Sequence, residues 1–147
     1  MGAGGYTVGA ARVDITPEPG LPMVGFVRQW QVAEGTGRLP LEVTALAIEA
    51  GGALAILCGA DTAGIQAPVI DRIRDRIAAA TGALRAGIVI SFNHTHLAPA
   101  NGALPHWLSW TPAAVPDGAI EAYGARLGDA IVEACTRAAG SLSLIHI

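Results

Sequence analysis

Apolar runs separated by proline and glycine turns divide the first part of the chain into strands. Residues 6–15 (YTVGAARVDI) predict a strand that ends at a proline-rich turn, because proline removes a backbone donor from the sheet ladder. Two apolar runs, 41–50 and 53–60, flank Gly51 and Gly52. Two glycines between such runs predict a two-residue hairpin, since its turn needs positive φ. The second run is apolar throughout, which is typical of a strand covered on both faces.

The second half of the chain alternates helices with a further strand. A proline in the first turn and an apolar stripe with helical spacing predict a helix over 68–81, with Gly82 as its C-terminal cap. Residues 87–92 (GIVISF) predict a buried strand, and a last helix is predicted over 118–139 with Asp117 as its cap. Helices that alternate with buried strands predict an α/β fold, a layered mixed β-sheet with flanking helices. A loop, with or without a short strand, is predicted at 23–40, and a second loop at 101–116.

Composition excludes several classes of protein. The 147 residues suit one domain or part of one, and with 52% hydrophobic and 14% charged residues the chain is not expected to be disordered. A net charge of −3 without a basic block argues against nucleic-acid binding. Cys58 and Cys135 lie in apolar runs and predict buried free thiols. No signal peptide or transmembrane run is visible, so the cytoplasm is the default compartment.

The strongest chemical signal is Asn93-His94-Thr95-His96, directly after the predicted strand. Alternate residues of a strand point to the same face, so we expect His94 and His96 to project together at the end of a central strand, with Asp61 at the end of a neighbouring one. Two imidazoles can share a metal ion, or one can bind it while the other lies beside it, and neutral imidazole is a common ligand of Zn²⁺. The alternative is a pair of hydrogen-bonded histidines without a metal.

Two histidines do not complete a catalytic zinc site, which usually has three protein ligands and a water. The remaining candidates are His106, the acidic residues Asp61 and Asp14, and His146 near the end of the chain. Asp61 either accepts a hydrogen bond from a histidine or serves as a helix cap or solvated carboxylate. His106 is expected to be a loop residue. The sequence contains no Ser-His-Asp arrangement, nucleophile elbow or phosphate-binding glycine loop.

Three segments resemble the neutral/alkaline, non-lysosomal ceramidases and their bacterial relatives. GAARVDITPEPGLPMVGF resembles their first strand, which ends in Asp-Ile-Thr-Pro before a turn. LPLEVTALAIEAGGALAILCGAD resembles the following hairpin and its acidic end, and SFNHTHLAP resembles their His-Thr-His-Ser-Gly-Pro motif. In order and spacing the match covers about residues 7–100. It implies that 1–140 is the N-terminal part of a ceramidase-like catalytic domain, and therefore an incomplete domain.

The resemblance also implies an activity and a ligand set. Ceramidases of this type are zinc-dependent amidases in which zinc-activated water cleaves the N-acyl amide of ceramide into sphingosine and fatty acid. By this resemblance His94 is a zinc ligand, and His96 lies beside the metal as a catalytic residue. The other ligands of the family, a histidine, a glutamate and a tyrosine, are expected beyond the end of this chain. The implied partner is ceramide or a related N-acyl lipid, with membrane contact through that substrate.

The chain departs from the family pattern at two places. Leu97 and Ala98 replace the family's Ser-Gly, and Thr44 and Ala45 replace its Arg-Ala. These departures concern the choice of substrate more than the metal. Two other interpretations stay open: a non-catalytic, truncated or degenerate copy without its own metal, and an unrelated His-x-His metallohydrolase such as an amidohydrolase barrel.

The last residues form a separate segment. The string SLSLIHI, residues 141–147, resembles the translation of a sequencing-adapter read-through. We therefore expect a non-native tail that packs poorly against the body of the protein.

Overall fold

The chain forms a five-stranded mixed sheet with two long helices. The computed structural model describes residues 5–24, 33, 39–102, 115 and 117–144. In chain order the elements are β1 (Thr7–Asp14), β2 (Glu42–Ala50), β3 (Ala53–Ala60), α1 (Ala67–Thr81), a 3₁₀ turn (Arg85–Gly87), β4 (Ile88–Phe92), α2 (Ala119–Gly140) and β5 (Ser143–Leu144). The strand order is β4-β3-β2-β1-β5. The predicted α/β class and mixed sheet are confirmed.

The glycine pair makes the predicted hairpin. Gly51 and Gly52 have φ values of 58° and 81°, and they join β2 to β3 in a register that pairs Ala50 with Ala53. Both glycines adopt positive φ, which the two-residue turn requires and a side chain would oppose. β3 then continues through α1 to β4, which lies parallel to β3. The ends of β3 and β4 therefore meet at one edge of the sheet.

Both helices contribute to one core on a single face of the sheet. α2 lies very close to β1, since a Cβ added at Gly9 would overlap the backbone carbonyl of Ala138. Cys58 of β3 and Cys135 of α2 are 2% and 0% exposed, so the prediction of buried free thiols is confirmed. A hydrogen bond with the Cys135 thiol, together with burial, raises the pKa of Cys58. These thiols are part of the apolar packing.

The opposite face of the sheet is open in the part of the chain that the structure describes. Leu57 of β3 and Val89 of β4 are 45% and 51% exposed. The expectation that β3 is covered on both faces is therefore wrong for these residues. The physical reason is that the helices pack against the side of β3 that carries Ile56 and Cys58, where the buried cluster lies. Because β3 is apolar throughout, its sequence does not distinguish the face covered by the helices from the open face.

The helix ends lie within one residue of the predictions, and one predicted cap is wrong. Gly82, with φ 75°, closes α1 by donating its N–H to the carbonyl of Ala78. α2 begins one residue later than predicted, and Gly118 rather than Asp117 occupies its N-cap without a side-chain cap bond. The Asp117 carboxylate therefore lies outside the capping position. Neither helix is long and apolar enough, within the described ranges, to span a membrane.

The beginning of the tail joins the sheet. β5 pairs with β1 through Leu144 opposite Thr7 and Ser143 opposite Val8, which is more contact than expected for a poorly packed tail. Leu144 nevertheless remains 66% exposed at this sheet edge. Residues 145–147 lie outside the described residues, and the non-native origin of the segment stays a prediction.

Candidate functional site

Two parallel strands end side by side at the candidate site. Ala60 of β3 pairs with Phe92 of β4, and the polar residues Asp61 and Asn93 follow directly. Ligands of open α/β sheets commonly bind at the carboxyl ends of such strands. The predicted neighbourhood of Asp61 and the histidine motif is therefore confirmed. β4 is, however, the terminal strand of the described sheet, so the expectation of a central strand is wrong.

The Asp61 carboxylate connects three strand ends. Its Oδ1 accepts a hydrogen bond from Asn93 Nδ2 at 2.6 Å, and its Oδ2 accepts one from the backbone N–H of Glu42 at 2.8 Å. Asp61 is not the cap of α1, whose N-cap is Gln66. The described role of this carboxylate is to fix the start of the histidine turn relative to β2 and β3.

Asn93 and Thr95 shape the turn that carries the two histidines. Asn93 Oδ1 accepts the backbone N–H of Thr95 at 3.1 Å, and Thr95 Oγ1 accepts that of Leu97 at 3.1 Å. Asn and Thr favour turns through such local bonds. His94 has φ 57°, the one positive value outside glycine in the described ranges. The histidines are thus brought together by a turn after β4, and strand alternation is not the cause.

The ring of His94 is held at one nitrogen. His94 Nδ1 lies 2.7 Å from the carbonyl oxygen of Ala63, in the loop after β3. A carbonyl only accepts hydrogen bonds, so this contact assigns the proton of the neutral ring to Nδ1. The Nε2 atom then carries the free lone pair on an exposed side chain. Metal-bound histidines commonly show this arrangement, with the second ring nitrogen bonded to a carbonyl or carboxylate.

His96 lies beside this ring. The two imidazole centroids are 5.2 Å apart with their planes at 63°, and His96 is half-buried. The pair suits one metal ligand with a second imidazole next to it. No group of three or more His, Cys, Asp and Glu side chains that could hold a metal occurs within the described part of the chain.

The other candidate ligands stand apart from this pair or outside the described residues. His106 and His146 lie outside them. Asp14 Oδ1 accepts the backbone N–H of Thr16 at 2.7 Å in the turn after β1, and hydrogen bonds from Thr16 lower the pKa of Asp14. Asp14 is therefore employed in a local turn.

Two buried polar residues behind the site were missed by the sequence reasoning. Thr62 and Asn101 are 1% and 3% exposed, and Asn101 Nδ2 donates to Thr62 Oγ1 at 3.2 Å. Thr62 immediately precedes Ala63, the residue that holds the His94 ring. In the sequence, Asn101 stands before a glycine and has the appearance of an ordinary loop residue, so only the tertiary contact reveals it.

Two solved structures share the arrangement of this chain. Neutral ceramidase from Pseudomonas aeruginosa is 20% identical with a TM-score of 0.78, and the match covers 97% of this chain and 23% of that one. A ceramidase complexed with C2 is 21% identical with a TM-score of 0.77, over 95% of this chain and 22% of that one. No family model and no curated protein sequence matches.

The extent of these matches defines what they show. The chain spans 22–23% of the length of the ceramidase chains, at 20–21% identity. At this identity the likeness concerns the fold, and at that level it confirms the resemblance found in the sequence. The described chain therefore has the fold of part of a neutral ceramidase.

Proposed function

We propose that this chain is part of a ceramidase-like zinc amidase and supplies His94 as a metal ligand and His96 as a catalytic residue. The observation that carries the proposal is the 2.7 Å contact between His94 Nδ1 and the Ala63 carbonyl, which leaves Nε2 for a metal. The His96 ring at 5.2 Å and the ceramidase-like fold support it. The residues present therefore fit a zinc ion, although they supply fewer ligands than a finished site.

The chemistry follows from the positions of the two rings. A zinc ion bound there would polarise an amide carbonyl and lower the pKa of water to about 7. His94 would present Nε2, and its Nδ1–H bond to Ala63 would orient the ring. The His96 ring, next to that of His94, would donate a hydrogen bond to the oxyanion that develops on the amide carbonyl.

The proposed substrate is the amide of an N-acyl sphingoid lipid. Both matching structures are named as ceramidases. Hydrolysis of the linear amide C–N bond of ceramide gives sphingosine and a fatty acid, which places the reaction in sphingolipid metabolism. Contact with a membrane surface would arise through this lipid substrate.

The 147 residues alone are expected to bind zinc weakly and to turn over no ceramide at a useful rate. Catalytic zinc sites usually have three protein ligands, whereas the pair described here offers one or two. The matched ceramidases are about four times longer than the matched region, and we propose that a longer gene product supplies the remaining ligands and most of the substrate cleft. Loss of that cleft would also remove substrate positioning.

The test compares the 147-residue chain with the longer gene product that contains it. Zinc content and fatty-acid release from a fluorescent ceramide are measured for both. We expect the longer protein to hold zinc and to be active, and His94→Ala to abolish both properties. His96→Ala should lower kcat by about 10²–10³-fold while most of the zinc remains.

A matched control uses the exposed residue Glu133, whose ion-pair partner is Arg137. Glu133→Ala should retain zinc and activity. The competing interpretation, a non-catalytic or degenerate copy, predicts background zinc and background hydrolysis for every variant, including the unsubstituted longer protein. That outcome would contradict the proposal.

The barrel interpretation is not supported by the fold. In the amidohydrolase barrels the His-x-His pair follows the first strand of a parallel barrel. Here three antiparallel strands, β1 to β3, precede the pair. This topology differs from that of the barrels.

A further inference from the structure

We infer that Asn101 is a positioning residue for His94, acting through the loop at 62–64. The inference concerns which nitrogen of the His94 ring is free and how firmly the ring is held. Its consequence for zinc binding rests on the proposed function, whereas its consequence for the His94 ring itself does not.

The Asn101 side-chain amide binds Thr62 and Gly64, the residues on either side of Ala63. The carbonyl of Ala63 is the group that contacts the His94 ring. Asn101 Nδ2 donates to Thr62 Oγ1 at 3.2 Å and to the backbone carbonyl of Gly64 at 3.0 Å. Between these two residues lies Ala63, whose carbonyl oxygen is 2.7 Å from His94 Nδ1. The position of that carbonyl is therefore set by the Asn101 side chain.

Burial makes these contacts energetically important. Thr62 and Asn101 are 1% and 3% exposed. Leaving a buried amide or hydroxyl without a hydrogen-bond partner destabilises the folded protein by about 1–3 kcal/mol. The side chains of Thr62 and Asn101 are therefore expected to keep their hydrogen bonds. Ala63 is buried beside them in a small apolar cluster with Val24 and Ala100. The loop at 62–64 is thus held by the hydrogen bond between Asn101 and Thr62, next to the apolar cluster that contains Ala63.

Asn101 is itself fixed from two other directions. The preceding residue, Ala100, donates its N–H to the carbonyl of Pro22 at 2.8 Å. From α2, Gly124 approaches so closely that an added Cβ would overlap the Asn101 backbone carbonyl. Gly124 therefore permits the helix to lie directly against Asn101. This gives a continuous series of contacts from α2 through Asn101 and the 62–64 loop to His94.

Removal of the Asn101 amide should release the His94 ring. The Ala63 carbonyl would lose its fixed position, and the exposed imidazole would exchange between its two neutral tautomers. Groups that orient a metal-binding histidine typically change metal affinity by about 10–100-fold when removed. We expect an effect of that size on zinc binding by Asn101→Ala.

The first experiment reads the His94 tautomer in the metal-free 147-residue chain. Long-range ¹H–¹⁵N spectra with ¹⁵N-labelled histidine, recorded at about pH 8.5 where imidazoles are ordinarily neutral, show which ring nitrogen carries the proton. The unsubstituted chain should show His94 protonated at Nδ1. Asn101→Ala should show the averaged nitrogen shifts of two tautomers, with the backbone amide spectrum otherwise retained.

Three further variants keep the test valid if Asn101→Ala does not fold. Thr62→Val removes one of the two contacts and keeps the shape, so it should give a partial change. Gly124→Ala displaces Asn101 from the helix side and should also shift the tautomer. Gly140→Ala, on the same helix as Gly124, is the matched control, because a Cβ at Gly140 would meet no atom within 4 Å. It should leave the His94 signals unchanged.

The second experiment measures the zinc affinity of the proposed longer protein by competition with a fluorescent chelator. Asn101→Ala should weaken binding by about 10–100-fold relative to the unsubstituted longer protein, and Gly140→Ala should not. A folded Asn101→Ala chain whose His94 stays protonated at Nδ1 would overturn the inference, as would an unsubstituted chain without that tautomer. A shifted tautomer in the 147-residue chain, together with a longer protein that binds no zinc, would support the inference and contradict the proposed function instead.

Discussion

At the scale of residues, the site depends on one histidine with an unusual backbone. His94 has φ 57°, a region that L-residues avoid because Cβ crowds the following carbonyl, at about 1–2 kcal/mol. Such conformations persist where the surroundings hold them and occur frequently at functional sites. Here Asn93, Thr95 and the Ala63 carbonyl provide the hold. The side chain of His94 is thereby presented at the edge of the sheet.

The cost of this backbone predicts an order of stability among variants. His94→Gly should be more stable than His94→Ala by about 1 kcal/mol, because glycine adopts positive φ freely. Chemical denaturation measures the free energy of unfolding directly, and the thermal midpoint should differ by about 3 °C. His96 is the control, since it lacks positive φ. His96→Gly should be no more stable than His96→Ala, and the same order at both sites would contradict the backbone argument.

The sequence correctly predicted which residues would lie together at the site. It did not predict the backbone conformation that brings them together. The i, i+2 spacing correctly placed His94 and His96 together, and the two strand ends correctly placed Asp61 nearby. The predicted cause, alternation along a strand, was wrong because β4 ends at Phe92. The roles of Ala63 and Asn101 depend on the approach of separate loops, and no local pattern contains that information.

At the scale of elements, α2 anchors the end of β1 as well as the core. Tyr123 on α2 donates its hydroxyl hydrogen to the carbonyl of Ile15 at 3.0 Å, and Arg126 donates to the same carbonyl at 3.2 Å. Arg126 also donates to the carbonyl of Thr16 at 2.7 Å. Burial raises the pKa of Tyr123 to about 12, against the opposing effect of the Arg126 charge. The turn after β1 is thus held on the helix by a protonated phenol.

The raised pKa predicts a loss of stability in alkali. An unfolded tyrosine releases its proton near pH 10, whereas Tyr123 in the folded chain keeps it to about 12. Unfolding therefore releases a proton between these values, and the free energy of unfolding should fall by up to about 1.4 kcal/mol per pH unit. Below pH 10 this contribution is fully present.

Two tyrosine variants check the assignment by denaturation between pH 8 and 12. Tyr123→Phe should remove this alkaline slope and lower stability at pH 7 by about 1 kcal/mol, through the lost hydrogen bond. Tyr6, which is 55% exposed, provides the matched control. Tyr6→Phe should retain the slope. Equal slopes in the unsubstituted chain and Tyr123→Phe would show that the phenol is not the group involved.

Element bounds were predictable where local chemistry determines them. The glycine hairpin and the Gly82 cap follow from backbone conformations that few residues other than glycine adopt. The cap of α2 was wrong by one residue, and β4 was expected in the centre of the sheet. Strand order is a non-local property. It depends on which strand β4 pairs with after the crossover connection through α1.

At the scale of the whole molecule, the described sheet has one packed and one open face. Across the open face, Ala10, Leu46, Leu57 and Val89 stand opposite one another in four adjacent strands. This forms an apolar row, of which Leu57 and Val89 are about half exposed. These two paired side chains therefore present adjacent apolar surface to solvent on this face.

The open face predicts binding of a hydrophobic dye by the 147-residue chain. The double variant Leu57→Thr, Val89→Thr should reduce the fluorescence of bound anilinonaphthalene sulfonate, because it removes exposed apolar area. Its free energy of unfolding should change by about 1 kcal/mol or less. Leu84 is 78% exposed but lies outside the sheet, so Leu84→Thr is the matched control and should leave the fluorescence unchanged. Equal fluorescence in both variants would contradict the assignment of the dye to this face.

The proposed role of His94 is best tested by locating zinc in the longer gene product proposed above. Anomalous X-ray scattering at the zinc edge identifies the metal and its ligands in one measurement. We expect a zinc peak about 2.0–2.1 Å from Nε2 of His94, with Nδ1 still bonded to the Ala63 carbonyl and the His96 ring alongside. A zinc ion bound elsewhere, or bound through Nδ1 of His94, or absent from a protein that hydrolyses ceramide, would contradict it.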